Sequence, residues 1–265
     1  MAEARTGAVL ALHQGAVTEL VLNRPDHLNA IDEEVGRHLR AALAMVEGDR
    51  NCRCLVLTGA GRGFCAGQAL PGPDDPEQLP PDIGGLVRDR YNPLVLQIRH
   101  LQIPVVAAVN GPASGAGFAL ALAADLRVAA EDAWFSCGFS RIGLVPDTGS
   151  SFFLTRYLGL PRAIQLAMSG ERISARAAAE LGFVAEVFPR GSFVSDYRAF
   201  AQDLANGPTR AYALTKTALN ASLTSTLEEQ LEFEADSQQE ASETHDFAEG
   251  LQAFHEKRRA AFTGK

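Results

Sequence analysis

From Ile103 to Ala124 the chain carries no charged side chain. That run is about as long as a membrane span, so the stretch must either cross a bilayer or be buried whole. Its composition decides between the two. It holds two prolines, three glycines, an asparagine and a serine, and its apolar half is mostly alanine. A buried strand ("IPVVAAVNG"), a tight turn and a buried helix ("GAGFALALAADL") account for it better than a span, and no membrane segment is expected. The neighbouring segments fit the same scheme. "CLVLTGAG" and "LRVAAE" are short apolar runs of the kind found in buried parallel strands. Ile31, Val35, Leu39, Leu43 and Val46 recur at helical spacing behind a possible cap, Asp32, and "NPLVLQIRHL" is helical. Strand, helix, strand, helix, strand in that order predicts an α/β domain with much parallel pairing.

The flanks complete this outline. "AVLALHQGAVTELVLN" predicts a hairpin around "HQG", and "GFVAEVFP" is the last strand candidate. The Pro-rich, acidic segment 71–82 is expected to be an exposed, mobile loop. Beyond about residue 192 strand signals vanish and helical period takes over. This divides the chain into a core, 1–191, and an all-helical appendage, 192–265, whose apolar stripes need a surface to cover.

A net charge of −8 and the lack of a basic strip argue against nucleic acid as a partner. Cys52, Cys54, Cys65 and Cys137 form no CxxC pair, and the histidines do not gather near them, so neither a zinc site nor a disulfide framework is expected. The N-terminal "MAEARTGAVLALHQG" reads as no signal peptide, which makes the cytoplasm the expected compartment.

Several motifs tempt and fail. "GAGRG" follows a strand, but a proline-rich loop stands where a dinucleotide site needs its helix. There is no P-loop and no G-x-S-x-G. Cys65 has no histidine in any local catalytic spacing. Two other features survive. "CLVLTGAGRGFCAGQAL" and "PVVAAVNGPASGAGFAL" each run from an apolar strand into a turn of small residues. Such turns expose backbone N–H groups, and one N–H from each could converge on a single oxygen. They serve equally as a crowded crossing of two backbones. The second feature is Asp147 in "RIGLVPDTGSS". Read alone, it is a helix cap before "SFFLTRYLG" or an acid/base in an apolar pocket.

The segments "LNRPDHLNAID", "GRGFCAGQAL", "VNGPASGAGFALALAADLRVA", "IGLVPDTGSS" and "EGLQAFHEKRRAAFTGK" together resemble the crotonase, or enoyl-CoA hydratase/isomerase, superfamily, in order and across essentially the whole chain. The resemblance implies a spiral of ββα units followed by a helical trimerisation region, and hence a homotrimer or a dimer of trimers. It implies an acyl-CoA thioester as substrate, with no metal and no separate cofactor. The thioester oxygen would be held by the main-chain N–H groups of Gln68 and Ala116. Hydratases of the family carry two glutamates; the matching positions here are Ala119 and Phe139, so ordinary hydration is not expected. The isomerase branch has an aspartate where this chain has Asp147, which becomes the expected acid/base. "GLVPD", "YNPLV" and "FTGK" most resemble the branch that isomerises the ring 1,2-epoxide of phenylacetyl-CoA. Ala69 and Ser150 depart from that branch near the expected acyl pocket. His27, Leu28 and Ala30, with Ala66, Ala69 and Leu70, are expected along the CoA path. Arg24 would contact a phosphate or else form a surface salt bridge. Phe254 and Lys257 would reach the CoA of a neighbouring subunit, or else be a packed aromatic and a solvated charge.

Overall fold

The computed structural model describes residues 7–71 and 82–265. Most of the segment expected to be an exposed loop, 72–81, therefore lies outside the described residues. The chain opens with β1 (Val9–Gln14) and β2 (Val17–Leu22), an antiparallel hairpin that turns at Gly15 with φ +62°. Helix α1 (Glu33–Gly48) follows. The Asp32 carboxylate caps it by accepting from the Val35 N–H at 2.7 Å, and Val35, Leu39, Leu43 and Val46 are its buried stripe. Strand β3 (Cys54–Gly59) comes next, then α2 (Ile83–Leu86), a π-helical turn at Val87–Tyr91, and α3 (Asn92–His100).

The uncharged run is neither a span nor a single element. It becomes β4 (Val105–Val109), the short β5 (Ala113–Ser114) and α4 (Ala116–Ala123). Every residue of β4 and α4 is buried, which is why neither could carry a charge. No helix among the described residues is long and apolar enough to cross a membrane. Then come β6 (Leu126–Ala130), β7 (Trp134–Ser136), a 3₁₀ turn at Phe139–Ile142 and α5 (Ser150–Ser169). Helix α5 breaks at Gly159, whose φ/ψ of 71°/161° interrupts it just before Pro161. Strand β8 (Ile173–Ser174), α6 (Ala175–Glu180) and β9 (Glu186–Phe188) complete the α/β portion.

The main sheet has the order β1-β2-β3-β4-β6-β9 and is parallel from β2 onward; β5, β7 and β8 form a second, small sheet. The α/β fold expected from the alternation of elements is present. Sequence reading missed the small sheet, because two- and three-residue strands are too short to show a period. Four helices close the chain: α7 (Phe193–Ala205), α8 (Thr209–Ala221), α9 (Leu227–Ser242) and α10 (His245–Glu256). Helix α7 sets Phe193, Tyr197, Ala201 and Ala205 into the hydrophobic core. All four cysteines are free and buried. Among the described residues no three His, Cys, Asp or Glu side chains gather closely enough to hold a metal ion.

Candidate active site

The two small-residue turns meet and interlock. The N–H groups of Phe64 and Cys65 both donate to the Pro112 carbonyl at 3.1 Å, and Ser114 N–H donates back to the Cys65 carbonyl at 3.0 Å. Glycine is required at the crossing. A Cβ on Gly117 would fall 2.3 Å from the Cys65 oxygen. One on Gly67, where φ is +96°, would lie 2.8 Å from the Ser114 oxygen and 3.2 Å from the Ala116 nitrogen. So the crossing is crowded, and it also brings two donors together. Ile31 N–H donates to the Gly67 carbonyl at 2.7 Å, and Ala69 N–H donates to the Ile31 carbonyl at 3.0 Å. With residues 67 and 69 bonded to Ile31, the N–H of Gln68 between them faces the other way, as in any extended ladder. Ala116 is the first residue of α4, so its N–H has no partner within the helix. Among the described residues, neither N–H has a hydrogen-bond acceptor. The close crossing is what the structure contains, and it leaves these two main-chain N–H groups without an acceptor among the described residues.

These turns form one wall of a cavity of about 370 Å³. Leu86, Val87, Phe139, Ile142 and Leu144 contribute to its apolar lining, and Asp147 is the only carboxylate on it among the described residues. Asp147 does not cap α5. The capping position is Gly149, without a side-chain bond, and Asp147 contributes only its carbonyl, which accepts from Ser150 N–H at 2.8 Å. Thr148 and Gly149 are both left-handed, with φ of +54° and +82°, and this double turn separates Asp147 from the helix it precedes. The carboxylate accepts from the Thr148 hydroxyl at 2.7 Å and forms no salt bridge among the described residues. Burial pushes its pKa above the ordinary value of 3.8, and the Thr148 hydrogen bond opposes that rise. The cavity wall therefore carries one partly desolvated carboxylate and two residues whose main-chain N–H groups are free among the described residues.

The positions matched to the glutamates of hydratases add no second acid. Phe139 is on the cavity wall, whereas Ala119 is fully buried within α4 and off the wall. Ser150 is fully buried at the start of α5 and also off the wall, as is Ala69. Of the residues expected along a CoA path, Ala66, Gln68, Leu70 and Ala116 line the cavity. Leu28 is beneath it, its carbonyl accepting from Ala66 N–H at 2.9 Å, and His27 and Ala30 belong to the same tight turn. Arg24 pairs with Glu34, so the surface salt bridge is what the structure contains. Phe254, 78% exposed, and Lys257 are on and just after α10, away from the cavity lining.

Several wall residues were not expected from the sequence, Tyr91, Trp134 and Arg172 among them. Tyr91 is buried, and its hydroxyl donates to Oε1 of Gln68 at 2.5 Å. Trp134 and Arg172 come from the small sheet and its edge, with the guanidinium 4.1 Å from the indole centroid. Their signal was weak: an aromatic ahead of a helix-opening proline, one residue in a strand too short to recognise and one just before another such strand.

The geometry agrees with comparison to known proteins. The family model described as "Enoyl-CoA hydratase/isomerase" matches residues 13–265. The chain is 43% identical to the 1,2-epoxyphenylacetyl-CoA isomerase of Escherichia coli K12, over 97% of this chain and 98% of that one. It is 44% identical to a protein of Rhodobacter capsulatus named "Probable enoyl-CoA hydratase", over 93% and 94% of the two chains. Among solved structures, an enoyl-CoA hydratase from Polaromonas sp. JS666 superposes with a TM-score of 0.90 at 34% identity, covering 96% of this chain and 99% of the other. The family match over residues 13–265, with relatives 43% and 44% identical over nearly the whole chain, makes the chain a member of the enoyl-CoA hydratase/isomerase family.

Proposed function

We propose that the protein is an acyl-CoA isomerase, and that its substrate is the ring 1,2-epoxide of phenylacetyl-CoA, converted to the seven-membered oxepin thioester. The observation that carries the isomerase reading is that Asp147 is the one carboxylate on the cavity wall among the described residues. Adding water across a double bond calls for two groups that handle protons, and Phe139 stands where a second would be. The name of the E. coli relative supports the epoxide.

In this reading the thioester oxygen sits between the N–H groups of Gln68 and Ala116. Each donor of such a pair is worth about 10²–10³ in kcat when charge develops on the oxygen. Asp147 is the base. With a 3-enoyl-CoA it would take a proton from C2, leave an enolate on the thioester, and return the proton at C4, so that the double bond moves and no atom is gained or lost. Its raised pKa suits that work, because a base is most effective when its pKa approaches the working pH. For the ring epoxide the site supplies a fixed thioester and an apolar cleft for the ring, with Asp147 either moving a proton or only positioning the substrate.

CoA would run from the cavity past Ala66 and over the turn of His27, Leu28 and Ala30. Phe254 and Lys257 would meet it from a neighbouring subunit of a homotrimer or dimer of trimers. Exposed Leu219, Leu223, Leu227, Leu231, Phe247 and Leu251 on the helical tail support an assembly of that kind.

The test is turnover by the parent protein and by Asp147→Ala. Oxepin formation from the ring epoxide supports the substrate. Activity on 3-enoyl-CoA alone would make the protein a Δ3,Δ2-enoyl-CoA isomerase. Binding of both thioesters without turnover would leave an acyl-CoA-binding subunit.

A further inference from the structure

The Gln68 side chain is engaged at both ends. Its Nε2 donates to the Ala69 carbonyl at 2.9 Å. Its Oε1 accepts from the Tyr91 hydroxyl at 2.5 Å and from the Arg90 guanidinium at 3.4 Å. Two consecutive residues reach one oxygen because they end the π-helical turn Val87–Tyr91, a wider turn than an α-helix makes and one that recurs at functional sites. Arg90 gets there by crossing α1 at Gly36, where a Cβ would approach its side chain to 3.0 Å. Tyr91 is 2% exposed, yet it contributes to the cavity wall. Burial, with lesser contributions from Cys65 and Asp147, raises its pKa, so the phenol stays a hydrogen-bond donor at neutral pH.

We infer that Tyr91 is a positioning residue: with Arg90, it fixes Gln68 through Oε1 so that the Gln68 N–H stays aimed at the thioester oxygen. The inference rests on the proposed use of that N–H. An oxyanion donor acts through preorganisation, and among the described residues the main chain around Gln68 is otherwise tied on the side that faces Ile31. Tyr91 and Arg90 supply the tie on the opposite, helical side.

The experiment compares the parent, Tyr91→Phe, Gln68→Met and the double variant. Each keeps the bulk of the side chain and the backbone N–H, and thermal melting checks the fold. Two readouts are taken. The first is kcat and KM on 3-enoyl-CoA or the ring epoxide, whichever the parent turns over. The second is the red shift in absorbance when a chromophoric aryl-2-enoyl-CoA binds, which reports polarisation of its carbonyl. Tyr91→Phe is expected to lower kcat about tenfold or more, short of losing a donor outright, with KM within about twofold and a smaller red shift. Gln68→Met should do the same. The double variant should be no worse than either single one, because Tyr91 acts through Gln68. Parent-level kcat with a full red shift in Tyr91→Phe would overturn the inference. So would losses that multiply in the double variant, which would mean that Tyr91 touches the substrate itself. A parent that binds and polarises the aryl thioester but turns over neither substrate removes the isomerase reading, and the red shifts alone then decide the role of Tyr91.

Discussion

The two halves of the active site are built in opposite ways. At the crossing turns the working groups belong to the main chain, and side chains matter by their absence: Gly67 and Gly117 are there so that two backbones can touch. At the Asp147 turn the working group is one side chain, and the main chain serves by bending, through Thr148 and Gly149 in left-handed conformations. The first half is held by reciprocal hydrogen bonds between Cys65, Pro112 and Ser114. The second has one hydroxyl, that of Thr148, on its carboxylate. On the proposed function, donors that must not move stand where the fold is most constrained, and a base that must exchange a proton stands where one hydroxyl sets its environment.

That contrast can be broken or sharpened by experiment. Asp147→Asn should have the largest effect, a loss of about 10²–10⁴ in kcat on a proton-transfer substrate with the fold intact; retained activity would remove Asp147 from the chemistry. The same variant has a stability signature. A carboxyl whose folded pKa is raised favours the folded state at low pH, and that contribution is lost as pH rises through the folded pKa. Asp147→Asn should therefore raise the melting temperature at neutral pH, with the gain gone below the carboxyl's ordinary value of 3.8. At the other half, Gly67→Ala should cost about 10²–10³ in kcat by displacing a donor and also destabilise the fold by about 1–3 kcal/mol through strain at its positive φ. If kinetics and melting fail to fall together there, the crossing is not the constrained half. Thr148→Val tests the lone hydroxyl. Its hydrogen bond lowers the Asp147 pKa, so removing it should move the acid limb of the pH–rate profile upward. The smallest effect is expected from Arg24→Ala. Its partner Glu34 is on an exposed face, so melting should change by less than about 1 kcal/mol.

The same asymmetry governs what was legible in the amino-acid sequence. Glycines forced by close approach leave a mark that can be read, so the turns at 64–68 and 111–117 stand out in the amino-acid sequence. Whether they made a crossing or an oxygen-binding notch depended on where two distant segments meet, and only the fold supplies that. Asp147 was visible as an isolated acid, but its two local readings were separated by backbone angles at 148 and 149. Tyr91 stood in the sequence only as the first residue of "YNPLV", with no role attached to it. Its role depends on a π turn that puts residues 90 and 91 on the same oxygen, and helical periodicity does not foresee such a turn. The main strands and α1 were legible because burial on both faces or along one stripe writes a period into the sequence. Strands β5, β7 and β8 are too short to hold a period, and with them Trp134 and Arg172 were missed.

The buried cysteines have a practical consequence. Desolvation pushes the Cys65 thiol up to about 12 and that of Cys137 to about 11, and raises Cys52 and Cys54 as well. At neutral pH the native protein presents almost no thiolate, the species that alkylating reagents consume. Cys52 and Cys54 flank the start of β3, Cys65 is under the glycine crossing, and Cys137 is near enough to Asp147 to feel its charge. The chain thus carries its own set of timers. The rate at which each sulfur becomes alkylated measures how often that part of the molecule opens, and comparing Cys65 with Cys137 would rank the two halves of the active site without introducing a label.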